Sequence, residues 1–206
     1  MQVFTLDNTG INSIEEFQGK NIGVGASGSG GEMAARILLE AYGMSYDDIN
    51  AQFMPETEAV AALKDGRIAG FIATHPIRSA ALTDLTTSAN AKLLPVDADA
   101  FYELNPAYSR YTVPAGTYNN IDEDVVIPRS RIIMVTSLNA GFSDDDIYNM
   151  VKAIWEHRDD WADSAAAVKA QVVIETALEE IDIPLHPGAL RYYEELGMDI
   201  PELLRG

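Results

Sequence analysis

The 206-residue chain contains no cysteine. That excludes a disulfide framework, a catalytic thiolate and a cysteine-based zinc site, and it leaves the redox compartment open. Cations are scarce too: 14 lysines and arginines face 32 acidic residues, for a formal charge of -18. A surface of that sign repels nucleic acid and anionic membranes, so neither is expected as a partner, and an anionic ligand must be held by local geometry. No apolar run approaches the ~20 residues of a membrane span. Residues 1–6 (MQVFTL) read as a strand, without the basic region and long apolar core of a secretory leader. The protein is then intracellular, or its leader is not part of this chain. The three histidines, His75, His157 and His186, share no ligand spacing, so no metal site is expected, and no cofactor. Neither a nucleophile elbow nor a Ser/His/Asp layout stands out, and the acidic pairs read as solvated surface, so no enzymatic activity is expected.

What the chain does have is a 47% apolar composition, enough for a real core, and one Gly/Ser-rich stretch at residues 20–32 (KNIGVGASGSGGE). Ile22 and Val24 give it a strand-like start. Gly28, Gly30 and Gly31 permit a tight turn, and Ser27 and Ser29 place hydroxyls beside unpaired amides. Met33, Ala34, Ile37, Leu38 and Ala41 then recur at helical spacing, so the turn opens a helix with its positive dipole end facing any ligand. Such a strand, turn and helix start form an anion cradle. A carboxylate suits it, because two hydroxyls and several amides replace hydration without adding a charge.

Strand and helix signals alternate along the chain from residue 20 to 96: strands at 51–54, 68–73 and 91–96, and a helix from 57 to 66. This argues for parallel α/β layering with helices on both faces. Ser13 and Glu16 have capping-box spacing over a short helix carrying Ile14 and Phe17. Residues 3–6 form a strand with no preceding element, unusual for the edge of a complete domain. From 106 to 128 prolines, tyrosines and Gly116 replace helix signals, and the segment reads as a crossing or hinge. A strand follows at 132–136. Ser143 then caps a long helix whose apolar stripe runs from Ile147 to Trp161, a further helix covers roughly 164–180, and a last one carries Leu190, Tyr193 and Leu196 on one side.

Several residues are site candidates. Thr74 and His75 lie just beyond the carboxyl end of strand 68–73, where open α/β sheets gather ligands. Arg129 and Arg131 alternate on one face of the strand after the hinge and could neutralise a second anionic group. His157 reads as surface or packing, and His186 as a tie for the last helix. Gly23, Gly25 and Gly28 also match the dinucleotide fingerprint GxGxxG, which leaves an NAD- or NADP-binding oxidoreductase domain as the alternative. Against it, the acid that should end the next strand is displaced: Asp47 and Asp48 precede that strand, and Glu56 lies past Pro55. A phosphate-binding P-loop is rejected, since Gly31 is followed by Glu32 and Met33 where lysine and serine or threonine belong.

Four stretches, in order, resemble the solute-binding proteins of TRAP transporters of the TAXI type: residues 19–32, residues 71–76 (FIATHP), residues 113–118 (VPAGTY) and residues 186–194 (HPGALRYYE). The last two are the most specific, and together the matches cover nearly the whole chain. The resemblance implies an α/β, type II periplasmic-binding-protein-like fold, with two lobes joined by crossover strands. It implies capture of a small carboxylate, glutamate-like or a dicarboxylate, by lobe closure outside the cytoplasm, and delivery to TRAP membrane permease subunits. On this reading residues 13–105 are the second lobe, residues 1–12 and 106–128 are hinge or crossover segments, and residues 129–206 are the C-terminal part of the first lobe. Family members carry a longer N-terminal part, so the first lobe is expected to be incomplete and self-association through an uncovered sheet edge to follow. The ligand contacts are then Ser27, Gly28, Ser29, Gly30, Gly31, Thr74 and His75, with Arg129 and Arg131 as second-anion candidates, and Thr117 and Tyr118 act at the hinge. One departure is residues 128–131 (PRSR), where relatives are mostly apolar.

Overall fold

In the computed structural model, which describes residues 1–137, 139–162, 169 and 172–206, the first strand, β1 (Gln2–Leu6), is buried along its whole length. The chain divides into two units, Met1–Ser130 and Arg131–Gly206, and β1 is an inner strand of the first. Its sheet also holds β2 (Asn21–Gly23), β3 (Asn50–Gln52), β4 (Gly70–Ala73) and β5 (Ala91–Leu94), in the order β3-β2-β4-β1-β5. β2 pairs in parallel with β3 and β4. β1 runs antiparallel to its neighbours, with Val3 opposite Ile72 on one side and Leu94 on the other. The α/β class expected from the sequence is the class observed. The parallel layering is corrected at one point, because β5 keeps the common direction but joins the other strands only through β1. A pattern read over residues 20–96 is blind to a strand supplied from outside that window.

Side chains alternate across a strand, and both faces of this sheet are covered. Phe4, Phe71 and Leu93 pack with Ala59, Val60 and Leu63 of α2 (Glu56–Lys64) and with Leu82 and Leu85 of α3 (Ala80–Ser88). On the other face Val3, Ile22, Ile72 and Leu94 meet Ala34, Ala35, Leu38 and Leu39 of α1 (Gly30–Ala41) and Phe101 of α4 (Asp99–Leu104). Each valine, leucine, isoleucine or phenylalanine among them contributes about 1.5–3 kcal/mol when taken fully out of water. Gly23 marks the tightest contact, since a Cβ there would come within 2.9 Å of Phe71 Cβ. The packing of β2 against the α2 side therefore requires glycine.

Residues 106–128 hold more regular structure than their composition suggests. β6 (Tyr108–Val113) and β7 (Val125–Ser130) form an antiparallel ribbon, with Tyr111 opposite Ile127. The capping box over Ser13 and Glu16 is not made. Glu15–Phe17 form a single 3₁₀ turn without a side-chain cap, and Glu16 Oε2 accepts a hydrogen bond from the Asn12 amide at 2.6 Å. The strand expected at 132–136 is also absent: residues 131–137 have no regular structure, with Ile132 94% and Val135 65% exposed. β-branched composition favours a strand only where a partner exists, and this stretch has none among the described residues.

In the second unit Ser143 caps α5 (Asp144–Glu156) with a complete capping box to Asp146, whose carboxyl is held below its ordinary pKa by the Ser143 hydroxyl and amide. The long helix expected as far as Trp161 ends at His157, and α6 (Arg158–Ala162) restarts after it. Asp159 and Asp160 thereby sit in a first turn, where the helix dipole favours acidic groups. The last helix, α7 (Pro187–Glu195), buries Ala189, Tyr192 and Tyr193, whereas Leu196 is exposed. The first part of the helix expected over 164–180 lies outside the described residues, and residues 172–180 do not form an α-helix: Ile174–Thr176 make a 3₁₀ turn. No helix among the described residues is long and apolar enough to cross a membrane.

Candidate functional site

The chain leaves β2 at Gly23, turns through residues 24–29 and enters α1 at Gly30. Gly25 has φ 90°, and a Cβ there would lie 2.9 Å from the Glu32 amide nitrogen, so only glycine fits this bend. Ser29 is the N-cap of α1 and its Oγ accepts from the Glu32 amide at 3.1 Å. The Ser29 amide itself donates to the Ala26 carbonyl at 3.0 Å. Gly30 and Gly31 carry first-turn amides for which helix geometry provides no acceptor. Ser27 and Gly28 lie exposed on the outer turn.

Thr74 follows β4, the parallel neighbour of β2, and the sheet carries it to the same place. A Cβ added to Gly31 would stand 3.1 Å from Thr74 Oγ1 and 3.5 Å from Ser29 Oγ. Two strand ends therefore bring together two hydroxyls and a helix N-terminus around a space that only glycine leaves open. This arrangement can accept an anionic oxygen, with hydrogen-bond donors on three sides.

Beneath the turn lies a feature the sequence did not single out. Glu32 is buried, and its carboxylate accepts from Arg36 Nη2 at 2.6 Å and Tyr46 OH at 2.9 Å, with the Gly28 amide as a further donor. Arg36 first, then Tyr46, hold the Glu32 carboxyl below its ordinary value, and burial pushes the Tyr46 hydroxyl up. The i to i+4 spacing of Glu32 and Arg36 is a visible signal for the pair, but the burial is not. A carboxyl depressed in the folded state contributes stability that is fully present above its unfolded pKa of about 4.3 and is lost as pH falls through the lower folded value. Acid unfolding followed by circular dichroism is expected to show this loss. Glu32→Gln should flatten the acid limb relative to wild type, and an unchanged limb would contradict the assignment.

His75 is exposed, and its Nδ1 lies 2.9 Å from Oε2 of Glu56, a carboxylate whose side chain is only 6% exposed. Ser79 Oγ donates to the other Glu56 oxygen at 3.2 Å. Burial pushes the Glu56 carboxyl up, against the opposing pull of His75 and Ser79. Tyr118 is buried, donates to Gln2 Oε1 at 2.5 Å and accepts from the Arg78 amide at 2.8 Å, while Gln2 Nε2 donates to the His75 carbonyl at 3.1 Å. The loop that carries His75 is thus pinned by the start of β1 and by the residue 113–118 segment. Thr117 bonds locally, its Oγ1 donating to the Pro114 carbonyl at 2.6 Å. Gln2 and Glu56 were the residues missed. Gln2 is polar within an apolar strand, a usable signal for a buried hydrogen-bonding role.

The expected arginine pair does not share a strand face, because β7 ends at Ser130. Arg129 lies within β7 and its guanidinium sits 4.7 Å from the Tyr111 ring centroid. Arg131 begins the second unit, where it pairs with Glu179 at 2.5 Å and Glu180 at 3.0 Å. His157 is exposed beside Asp160, and His186 caps α7, its Nδ1 accepting from the Gly188 amide at 3.2 Å. A cavity of about 430 Å³, lined by Lys20, Arg67 and Ile68 among others, opens at the opposite end of β2 and β4 from the cradle. No group of three or more metal-ligating side chains occurs among the described residues.

A family model described as the NMT1-like family matches residues 1–197. Among solved structures, the chain is similar to the periplasmic aliphatic sulphonate-binding protein SsuA from Escherichia coli, at 15% identity and a TM-score of 0.49, covering 82% of this chain and 46% of that one. It is also similar to the alkanesulfonate-binding protein SsuA from Xanthomonas axonopodis pv. citri, at 16% identity and a TM-score of 0.44, covering 95% and 61% respectively. The chain therefore spans between 46% and 61% of the lengths of these two proteins.

Proposed function

The chain belongs to the NMT1-like family, and from that premise and the geometry of the cradle we propose that it is a solute-binding subunit of a membrane transport system. It captures a small carboxylate without altering it and passes it to a permease outside the cytoplasm. The observation that carries this reading is the convergence of Ser29 Oγ, Thr74 Oγ1 and the Gly30–Gly31 amides on one open space. The four sequence stretches that resemble TAXI-type proteins support the finer assignment to a TRAP transporter with a glutamate-like or dicarboxylate ligand. They also support a two-lobed, type II periplasmic-binding-protein architecture, in which the ligand shifts an open-to-closed balance by its differential affinity for the two states. Glu56 argues against the dinucleotide alternative, because its carboxylate is engaged by His75 and Ser79 instead of lying free for a ribose.

Calorimetry with L-glutamate, glutarate, an aliphatic sulfonate and NAD tests this reading. A carboxylate is expected to bind, and Thr74→Ala to weaken it by about 10- to 100-fold, the range for one hydrogen bond to a charged group. The unfolding temperature should not move, since Thr74 is exposed. Binding of NAD or the sulfonate alone, or an unaffected Thr74→Ala variant, would overturn it.

A further inference from the structure

The connection from β1 to β2 passes the end of β4, which lies between them in the sheet. A hollow is left there, the cavity of about 430 Å³ whose lining includes Lys20, Lys64 and Arg67. Its floor is the core of the first unit: Leu6, Leu63 and Ile68 reach it, and all three are buried. The walls are tied together. Thr5 Oγ1 donates to the Ala69 carbonyl at 2.8 Å, Thr9 Oγ1 to the Leu6 carbonyl at 2.7 Å, and Asn21 Nδ2 to the Arg67 carbonyl at 3.1 Å. Such ties hold the lining in place before anything binds, which lowers the ordering cost of binding.

In a chain where acids outnumber cations 32 to 14, three of the cations line this cavity and, among the described residues, no aspartate or glutamate does. The carboxyl end of α2 attracts cations and accounts for Lys64 and Arg67. It does not account for Lys20, which lies on the approach to β2 and has no ion pair among the described residues. Lys64 pairs with Asp84 at 3.0 Å and Arg67 with Asp65 at 3.4 Å, but both pairs lie at the surface. Surface pairs hold little energy, so both side chains can turn to a bound anion at small cost.

We propose that this cavity is a second anion site, distinct from the cradle at the other end of the same strands, for a small solute carrying at least two negative charges on phosphate-type oxygens. One carboxylate would leave most of the gathered positive charge unneutralised, whereas a multivalent oxyanion meets all three cations at once. The Arg67 guanidinium offers a planar fork for two oxygens, and the two lysines act as point charges. The net charge of -18 repels an extended anion such as a nucleic acid or a membrane, while a cavity of this size admits a compact one.

A ¹H–¹⁵N titration of the whole chain with pyrophosphate at low ionic strength tests the proposal. The amide resonances of Asn21, Arg67 and Ile68 are expected to shift and saturate together, with Gly30 and Gly31 unmoved. The double variant Lys20→Gln/Arg67→Gln should weaken pyrophosphate binding by at least ~10-fold. Lys152→Gln/Arg205→Gln removes the same charge from the second unit and should leave the affinity unchanged, which separates a site from general charge. None of these four side chains is buried, so both variants should fold. Equal losses in the two variants, shifts that never saturate, or shifts at Gly30 and Gly31 in place of these would overturn the proposal.

Discussion

Gly188→Ala is expected to unfold the C-terminal unit or to lower its melting temperature by roughly 10–25 °C. A Cβ at this position would lie 2.2 Å from the Asp144 carbonyl oxygen and 2.7 Å from the Tyr148 amide nitrogen. Both are backbone atoms of α5, so no rotamer change relieves the clash, and α7 must move away as a body. That movement separates Ile147 from Ala189, Tyr192 and Tyr193, the buried side chains these two helices contribute to the unit's core. Overpacking against side chains typically costs about 1–3 kcal/mol, and backbone contact belongs at or beyond the upper end. For a unit of this size each kcal/mol corresponds to about 4–8 °C. The readout is direct, because both tryptophans, Trp155 and Trp161, lie in this unit, and Trp155 Nε1 donates to Tyr193 OH at 3.1 Å. Tryptophan fluorescence against temperature should therefore report the loss. A variant that melts like wild type would contradict the close approach of α7 to α5.

Gly31→Val is expected to abolish ligand capture while leaving the first unit folded. The first Cβ already stands 3.1 Å from Thr74 Oγ1 and 3.5 Å from Ser29 Oγ, and the two methyl groups of valine would occupy the space between the hydroxyls. The loss should be at least ~100-fold, since the carboxylate loses its seat and not one bond alone. The folding cost should be small. Gly31 lies in the first turn of α1 without a positive φ, and valine is a better helix former than glycine. Ser29→Ala is a less clean probe, because Ser29 also caps α1 and its removal costs about 1 kcal/mol of stability. Unchanged affinity in Gly31→Val would place the ligand elsewhere.

The local pieces of the site were legible in the sequence, and their assembly was not. Glycines beside serines at 25–31 indicated a turn into a helix, because only glycine tolerates the bend at Gly25 and only Ser, Thr, Asp or Asn caps well at Ser29. Thr74 and His75 were legible as strand-end residues. The burial of Glu32 and Glu56 was not legible, since an acidic residue at a helix start is normally solvated, and only the sheet order brings Tyr46 and His75 to these two carboxylates. The same reason hid the ribbon of β6 and β7. Its strands pair across eleven intervening residues, and prolines at positions 114 and 128 mask the alternation. The stretch from Ile132 to Thr136 erred in the other direction, with strand composition and no strand to pair with among the described residues.

The most direct test of the carboxylate cradle is a ¹H–¹⁵N titration of the uniformly labelled protein with L-glutamate. The amide resonances of Gly30 and Gly31 are expected to move downfield and saturate together, as donors newly bonded to a carboxylate, with Thr74 shifting in parallel. Saturating shifts confined to Lys20, Arg67 and Ile68 at the opposite end of the strands, with Gly30 and Gly31 unmoved, would contradict it.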